Sequence, residues 1–519
     1  MSTIHLCDNS WHVPPPNKDM RDSFGRPACD LIIGKKYDSE VLKSLSSYTI
    51  GDLMKSKENS VLVWPNSFQN GNDELKDQYI YCITEGDGKS IVSITTNNVV
   101  GFIGKGKTDI RIHSRFCSGK GEKTNDYFLY HMLGKVMAIN MFDLPTSSGK
   151  DLVFDFLLFI FPNLLKEAMS QGMYKKYVYH EYNDANVRGV IDINRHIRLN
   201  IPANGRIAYR TREFSYDNSM TQLIRHTIEF IRRKPLGQVV LHNDPDTEAC
   251  VQQIIQATPT FVQQKRQAII NDNLRPVVHP YFSKYAALQK LCLSILRHEK
   301  LSFGSKSNDN KIHGILIDAA WLWEEYIARV LEKPVNDVAN PVHLKHYTSN
   351  NKDFYLFRTE TNRKFQQIIP DYYDSERKIV ADAKYIPLHR YDHLDADRAL
   401  SVYYKTIMYM YRFNTQKGFL FHPCSQEDRD ALNKLKVSDG QKYQHVSIED
   451  KVVSCNYSID YDEDKGNPEN HLYEVGMVIP QIELTGKKDD YSKFKESMEK
   501  IEDAFVYKTN NPSKTSLIL

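Results

Sequence analysis

The sequence predicts a multidomain α+β protein in three parts: a β-rich N-terminal region over residues 1–120, a mainly helical middle domain over 121–305, and a C-terminal α/β domain with a mixed sheet over 306–519. Three observations carry this prediction. Short β-type runs separated by Asn, Gly and Asp crowd the first part. Apolar residues three and four apart dominate the second. The third reads as helix, hairpin, helix, strand, an α/β order.

Composition limits the function classes. A chain of 519 residues has room for about two to four domains and can bury its core without staples. Lys and Arg number 68 against 65 Asp and Glu, a formal charge of +3, so any nucleic-acid surface must be a local patch. The eight cysteines are scattered, with no CxxC pair and no Cys/His group at zinc spacing. That usage predicts a reduced, cytoplasmic protein. The N-terminal sequence has no basic-then-apolar signal pattern. Leu152 to Leu165, the longest apolar stretch, is interrupted by Asp155, Pro162 and Asn163; it predicts a pair of core helices rather than a membrane span.

In the first part, Val61–Trp64, Tyr79–Ile83 and Ser90–Ile94 are β-type runs. VVGFIGKGKTDIRIHSRF follows, in which Gly101, Gly106, Lys107 and Thr108 satisfy GxxxxGK[ST]. A phosphate-binding loop needs a helix to start at the Lys-Thr, so that its N–H groups meet the phosphates. Here Ile110 and Ile112 continue in alternation, which predicts a β-hairpin with Lys105, Gly106 and Lys107 at its tip. In the middle part, helices are expected over Tyr127–Met141, Phe154–Gln171, Met220–Arg233, Thr247–Ala257 and Tyr281–His298. Between them YVYHEYNDANVRGVIDINRHIRLNI reads as an extended polar piece. Its Arg188, Arg195 and Arg198 are candidates for phosphate contact on DNA, or simply a solvated basic face.

The last part opens with an amphipathic helix predicted over Ile315–Leu331, carrying the acid pair Glu324 and Glu325. FQQIIPDYYDSERKIVADAK then reads as two strands, Gln366–Tyr372 and Lys378–Lys384, around a turn at Asp374–Glu376. On the second strand, Val380, Asp382 and Lys384 share one face. Asp371, ending the first strand, can approach Asp382 across the ladder. Two carboxylates beside a lysine suit a hard divalent cation, which prefers oxygen ligands. Such a metal polarises a phosphodiester oxygen and lowers the pKa of an attacking water, and Lys384 can orient that water. Glu324 can swing in as a further ligand. The tripeptide acid-any-Lys is uninformative by itself, since it recurs at Glu74, Asp309, Glu376, Glu449 and Glu463; the apolar strand and the preceding Pro370-Asp371 set this copy apart. A helix over Asp397–Phe413 and the strand Gly418–His422 complete the pattern.

In their order these blocks resemble the McrC family, the nuclease subunit of McrBC-type and LlaJI-like restriction systems. The matching pieces are VVGFIGKGKTDIRIHSRF, VRGVIDINRHIRLN, LWEEYIARVLE, IIPDYYDSERKIVADAKY, YYKTIMYMYRF and FLFHP, spread over about residues 95–425. The resemblance implies a PD-(D/E)XK nuclease domain in the C-terminal part. Asp371, Asp382 and Lys384 fall at its signature positions and Glu324 at its acidic helix position. It implies Mg²⁺, or Mn²⁺ in its place, held by Asp371, Asp382, Glu324 and the Ala383 carbonyl, and cleavage of double-stranded DNA in defence against foreign DNA. It also implies an McrB-like AAA+ GTPase ring as partner, which binds the GTP and is stimulated by the N-terminal part, with Lys105, Gly106 and Lys107 as contacts. Where the family's helix carries glutamine this chain has Lys405 next to Tyr404. Residues 1–90 and 425–470 lie outside the resemblance. Two other readings stand beside it: a non-catalytic adaptor that couples an NTPase ring to nucleic acid, and an autonomous P-loop NTPase.

Overall fold

A computed structural model describes residues 2–15, 28–33, 36–55, 60–65, 75–87, 90–106, 108–119, 124–137, 152–234, 237–242, 244–302, 312–332, 342–343, 354–386, 396–438, 440, 445–459, 470–482 and 489–512. The chain forms an α+β fold with mixed sheets and divides into two compact units. One joins Met1–Lys150 to Asn308–Leu519, and the other is Asp151–Ser307.

The first unit is discontinuous because the strand Ile312–Asp318 completes the N-terminal sheet. That strand lies between Val99–Lys105, to which it is antiparallel, and Ser60–Trp64, to which it is parallel. Thr108–His113 and Ser2–Cys7 continue the sheet on the far side of Val99–Lys105. A second sheet of Ala28–Asp30, Trp11–Val13, Ile91–Thr96 and Tyr81–Glu85 shares an apolar core with it, through Ile4, Leu42, Ile94, Ile103 and Leu316. The helix expected from Ile315 therefore starts later, at Ala319–Leu331. Apolar residues of a doubly flanked strand mimic helical periodicity. The true start is marked by Asp318, whose Oδ1 accepts from Ala320 N at 3.0 Å and Trp321 N at 3.1 Å.

The same unit holds a seven-stranded mixed sheet in the order Val342–His343, Tyr372–Asp374, Ile379–Ala383, Lys417–Ser425, His471–Ile479, Val452–Ser458, Val446–Ile448. Its three central strands are parallel and its flanks antiparallel. Such strands are buried on both faces, which is why Ile379, Val380, Ala381 and Asp382 are all buried. The helix Ala396–Phe413 packs on one face, where Tyr409 and Met410 meet Val380. Ala319–Leu331 and Asp489–Asn510 cover the other: Trp323 Nε1 donates to Phe421 O at 3.2 Å, and Phe505 packs on Phe421. The charged stretch after Ser425 contributes the helix Gln426–Ser438 and the last two strands.

The first strand of the predicted hairpin is broken in two. Lys364–Gln367 pairs with Tyr355–Arg358 in a separate two-stranded sheet, and pairing with Ile379–Ala383 resumes at Tyr372. Pro370 has no N–H for the ladder, and Gln366 adopts φ 57°.

In the second unit, helices Leu152–Met169, Ser219–Arg232, Pro245–Ala257, Arg266–Asp272 and Tyr285–Ser302 accompany a three-stranded antiparallel sheet of Val190–Ile191, Ile207–Ser215 and Lys176–Asp184. Leu152–Leu165 belongs to one helix with Pro162 inside it, not to two. Burial of Phe159, Ile160, Phe161, Leu164 and Leu165 offsets the proline's cost of about 3 kcal/mol. The extended reading of Val190 to Ile193 stops at Ile191. Asp192 Oδ1 accepts from Arg195 N at 3.1 Å and caps the helix Ile193–Asn200.

Candidate metal and nuclease site

The last paired position between the strands at the site is Tyr372 opposite Ala381. One residue further, Asp371 stands level with Asp382. Strand alternation turns Asp382 toward the Ala396–Phe413 face, the side of Val380. Asp371 Oδ2 accepts from Ala383 N at 2.7 Å, which ties it to the end of the neighbouring strand. Lys384 follows immediately. Its backbone N donates to Phe421 O at 2.7 Å, and its ammonium forms an ion pair with Asp382. Asp371, Asp382 and Lys384 are thus brought together as the sequence predicts.

Asp382 is 1 % exposed. Burial first and the Asp371 charge second raise its pKa above the ordinary carboxylate value; Lys384 and Lys405 pull the other way. The influence of Lys405, an exposed residue of the Ala396–Phe413 helix, identifies a second cation over this carboxylate. Apart from the Lys384 ammonium, neither carboxylate oxygen of Asp382 has a hydrogen-bond donor among the described residues despite its burial. Buried carboxylates ordinarily find donors. One whose sole donor is a partly exposed ammonium, beside a second carboxylate, fits a hard cation with oxygen ligands.

Glu324 and Glu325 are buried in the helix across the sheet. Tyr372 faces that helix, and its hydroxyl donates to the Glu324 backbone O at 2.5 Å. Burial, then the charges of Glu324, Asp371, Glu325 and Asp382, push the Tyr372 phenol far up. The acids therefore surround one hydroxyl from two layers. Among the described residues, no group of three His, Cys, Asp or Glu side chains is found that could hold a metal ion. Tyr372, Glu325 and Lys405 are the members of this cluster to which sequence reasoning gave no role. Only the acid pair and the strand alternation signalled the first two.

The glycine-lysine segment forms the predicted hairpin: Val99–Lys105 pairs antiparallel with Thr108–His113, Lys105 opposite Thr108. Gly106 turns the chain at φ 63°. A strand rather than a helix follows, so the P-loop condition fails. Lys105 Nζ donates to Ser44 Oγ at 2.7 Å; Lys107 lies outside the described residues.

In the second unit Arg188 is exposed and lines an open concavity of about 740 Å³ with Tyr179, Tyr182, Arg210 and Arg212. Arg195 is engaged internally, donating to Tyr182 O at 3.3 Å and pairing with Glu181 at 3.5 Å. Arg198 is exposed and donates back to Asn194 O at 3.4 Å.

Residues 94–423 match the family model McrBC, described as McrBC 5-methylcytosine restriction system component. No curated protein matches the chain. Among solved structures, the chain is similar to one in the refined half-complex from the tetradecameric assembly of Thermococcus gammatolerans McrB AAA+ hexamers with bound McrC. The identity is 15 %, the TM-score 0.41, and the match covers 96 % of this chain and 100 % of that one. A chain of the Thermococcus gammatolerans McrBC complex matches at 16 % identity and TM-score 0.29, over 64 % of this chain and 88 % of that one. No helix among the described residues is long and apolar enough to cross a membrane.

Proposed function

The chain belongs to the McrBC family of 5-methylcytosine restriction system components, and from that premise we propose that it is the nuclease subunit of such a system. It hydrolyses phosphodiester bonds of duplex DNA in a PD-(D/E)XK-type domain, in defence against foreign DNA. One observation carries this reading: Asp371 stands level with a buried Asp382 whose only donor among the described residues is the Lys384 ammonium. Asp371 and Asp382 would hold Mg²⁺ or Mn²⁺, with the Ala383 carbonyl and Glu324 as the further ligands. The cation supplies Lewis-acid polarisation of the phosphate and a more acidic water. Lys384, anchored on Asp382 yet 23 % exposed, would orient the attacking water and offset charge developing on the phosphate. Arg188 and Arg198 are exposed enough to meet DNA phosphates.

The partner in this reading is an McrB-like AAA+ GTPase ring, which binds GTP and is stimulated by this chain through the Lys105–Lys107 hairpin. Reconstitution with such a ring tests it. Wild type should cleave plasmid DNA in Mg²⁺; Asp371→Asn, Asp382→Asn and Lys384→Met should each cleave at least about 10³-fold more slowly while still stimulating GTP hydrolysis. Cleavage by Asp382→Asn at the wild-type rate would sink the assignment. The second reading, a non-catalytic adaptor, is favoured by the lack, among the described residues, of a group of three His, Cys, Asp or Glu side chains that could hold a metal. It predicts GTPase stimulation with no metal-dependent cleavage by wild type.

A further inference from the structure

Three contacts fix where the helix Ala396–Phe413 crosses the sheet face that carries Asp382. Tyr409 and Met410 meet Val380. A Cβ on Gly418, level with Val380 in the next strand, would lie 2.7 Å from Met410 Sδ and 3.1 Å from Thr406 Cγ2. Nearer the start of the helix, the Tyr403 hydroxyl donates to Glu474, which is level with Leu420 and so with Asp382. The helix therefore runs against the parallel strands: stepping back from Met410 to Tyr403 moves forward along the sheet from Val380 to Asp382.

Lys405 belongs to that stretch. It precedes Tyr409 by one turn, which puts both on one side of the helix, and its ammonium lies 5.7 Å from the centre of the Tyr409 ring. One turn back covers about 6 Å along the helix, and two residues forward cover about 6.6 Å along the strand. Lys405 thus stands over Asp382 as Tyr409 stands over Val380. Its pull on the Asp382 carboxyl, which ranks after burial and the charges of Asp371 and Lys384, agrees with that placement. Lys405 is exposed, so a phosphate arriving from solvent can reach it.

On the basis of the nuclease reading, we propose that Lys405 is the second cation of the cleavage site: its ammonium contacts the phosphate being hydrolysed and takes the place of a second metal ion. Charge on the phosphate grows as water attacks, and a preset positive group beside it stabilises that charge. Two metal ions about 4 Å apart can do this by clamping the attacking and leaving oxygens. One Mg²⁺ can be held by two carboxylates and the phosphate oxygens of a substrate. A second ion needs ligands beyond these, and among the described residues no group of three His, Cys, Asp or Glu side chains could hold a metal ion. An ammonium needs no such ligands. One divalent ion on Asp371 and Asp382 would leave Lys384 and Lys405 both facing the phosphate.

Metal counting on the full-length chain and cleavage by the reconstituted complex test this together. Calorimetric titration with Mn²⁺, a short DNA duplex present, should show that Asp382→Asn loses one bound ion per chain. Lys405→Ala should bind that ion at least as tightly as wild type, because a like charge beside it has been removed. At saturating Mg²⁺, Lys405→Ala and Lys405→Gln should cleave plasmid DNA at least about 30-fold more slowly. Lys405→Arg, which keeps the charge, should stay within about fivefold of wild type. Unchanged stimulation of GTP hydrolysis shows that each variant folds and assembles. Loss of two ions in Asp382→Asn, or cleavage by Lys405→Ala at the wild-type rate, overturns the proposal. So does a Lys405→Ala rate that returns to the wild-type value at high Mg²⁺, since Lys405 then serves only to keep Asp382 charged for the metal. If Asp382→Asn loses no ion or cleaves like wild type, the nuclease reading itself fails and takes this proposal with it.

Discussion

Asp382→Asn should make the metal-free protein more stable and make it blind to divalent metal. Side chains directly opposite each other on antiparallel strands have Cβ atoms about 5 Å apart. Two carboxylates at that separation repel by about 3 kcal/mol at an effective dielectric of 20. Attraction to Lys384 cancels part of this, but the ammonium is partly exposed and screened. The raised pKa of Asp382 gives the sign of the remainder: its charge is a net cost in the fold. Removing that charge should raise stability by about 1 kcal/mol at pH 7. The pH dependence is also fixed. A carboxylate whose folded pKa is raised contributes stability that is complete below its ordinary pKa of 3.8 and is lost as pH rises through the folded value. The variant should lack this loss. Chemical unfolding in chelator between pH 4 and 7 reads both effects. In Mg²⁺ the order should reverse, because metal at 100 times its Kd stabilises only the wild type, by about 2.7 kcal/mol. Lower stability of the variant in chelator, or an equal Mg²⁺-induced shift in both proteins, would refute the reasoning.

Three further outcomes follow from the same unit. Glu502 is held at about 2: burial works against its charge, but His131 at 2.8 Å and the Lys135 ammonium overcome it. Its stabilisation is present above the ordinary value of 4.5 and lost as pH falls toward 2, so Glu502→Gln should cost about 3 kcal/mol at neutral pH and flatten the acid limb of a stability–pH curve. Gly101 adopts φ +133°, and a Cβ there would lie 2.1 Å from Ile315 O; Gly101→Ala should cost at least about 2 kcal/mol by urea unfolding. Arg115→Ala should remove the guanidinium that donates to Tyr385 O at 3.3 Å and faces the buried Asp8 carboxylate. Burial already lifts Asp8 to about 6 in spite of Arg115, so wild type loses this group's contribution as pH rises through about 6; the variant should lose it over a higher pH range, visible as a shifted limb in thermal unfolding.

The order of elements was legible where a local rule acts alone. Asp371 meets Asp382 because a hairpin's register follows from its turn, and the turn residues stand in the sequence. What could not be read was any pairing decided by distant chain. Ile312–Asp318 is apolar enough to be the start of a helix, and only the edges offered by Val99–Lys105 and Ser60–Trp64 make it a strand. Gly101 shows the same effect within a motif. The letters GxxxxGK[ST] suggest a phosphate cradle, yet the glycine is needed because the Ile315 carbonyl passes where a side chain would be.

The discontinuous unit also packs the site's strand against the N-terminal layer, a contact that the motif alone does not suggest. Lys384 is followed by Tyr385, which is 2 % exposed and leaves the sheet for the N-terminal layer. There Arg115 lies 4.2 Å from the centre of its ring and Ser114 Oγ is 3.4 Å from its hydroxyl. Ser114 and Arg115 directly follow the second strand of the glycine-lysine hairpin, and Asp8, directly after the strand beside it, accepts from Arg115 N at 2.6 Å. One arginine–tyrosine contact therefore links the residues that end that hairpin to the residue next to Lys384.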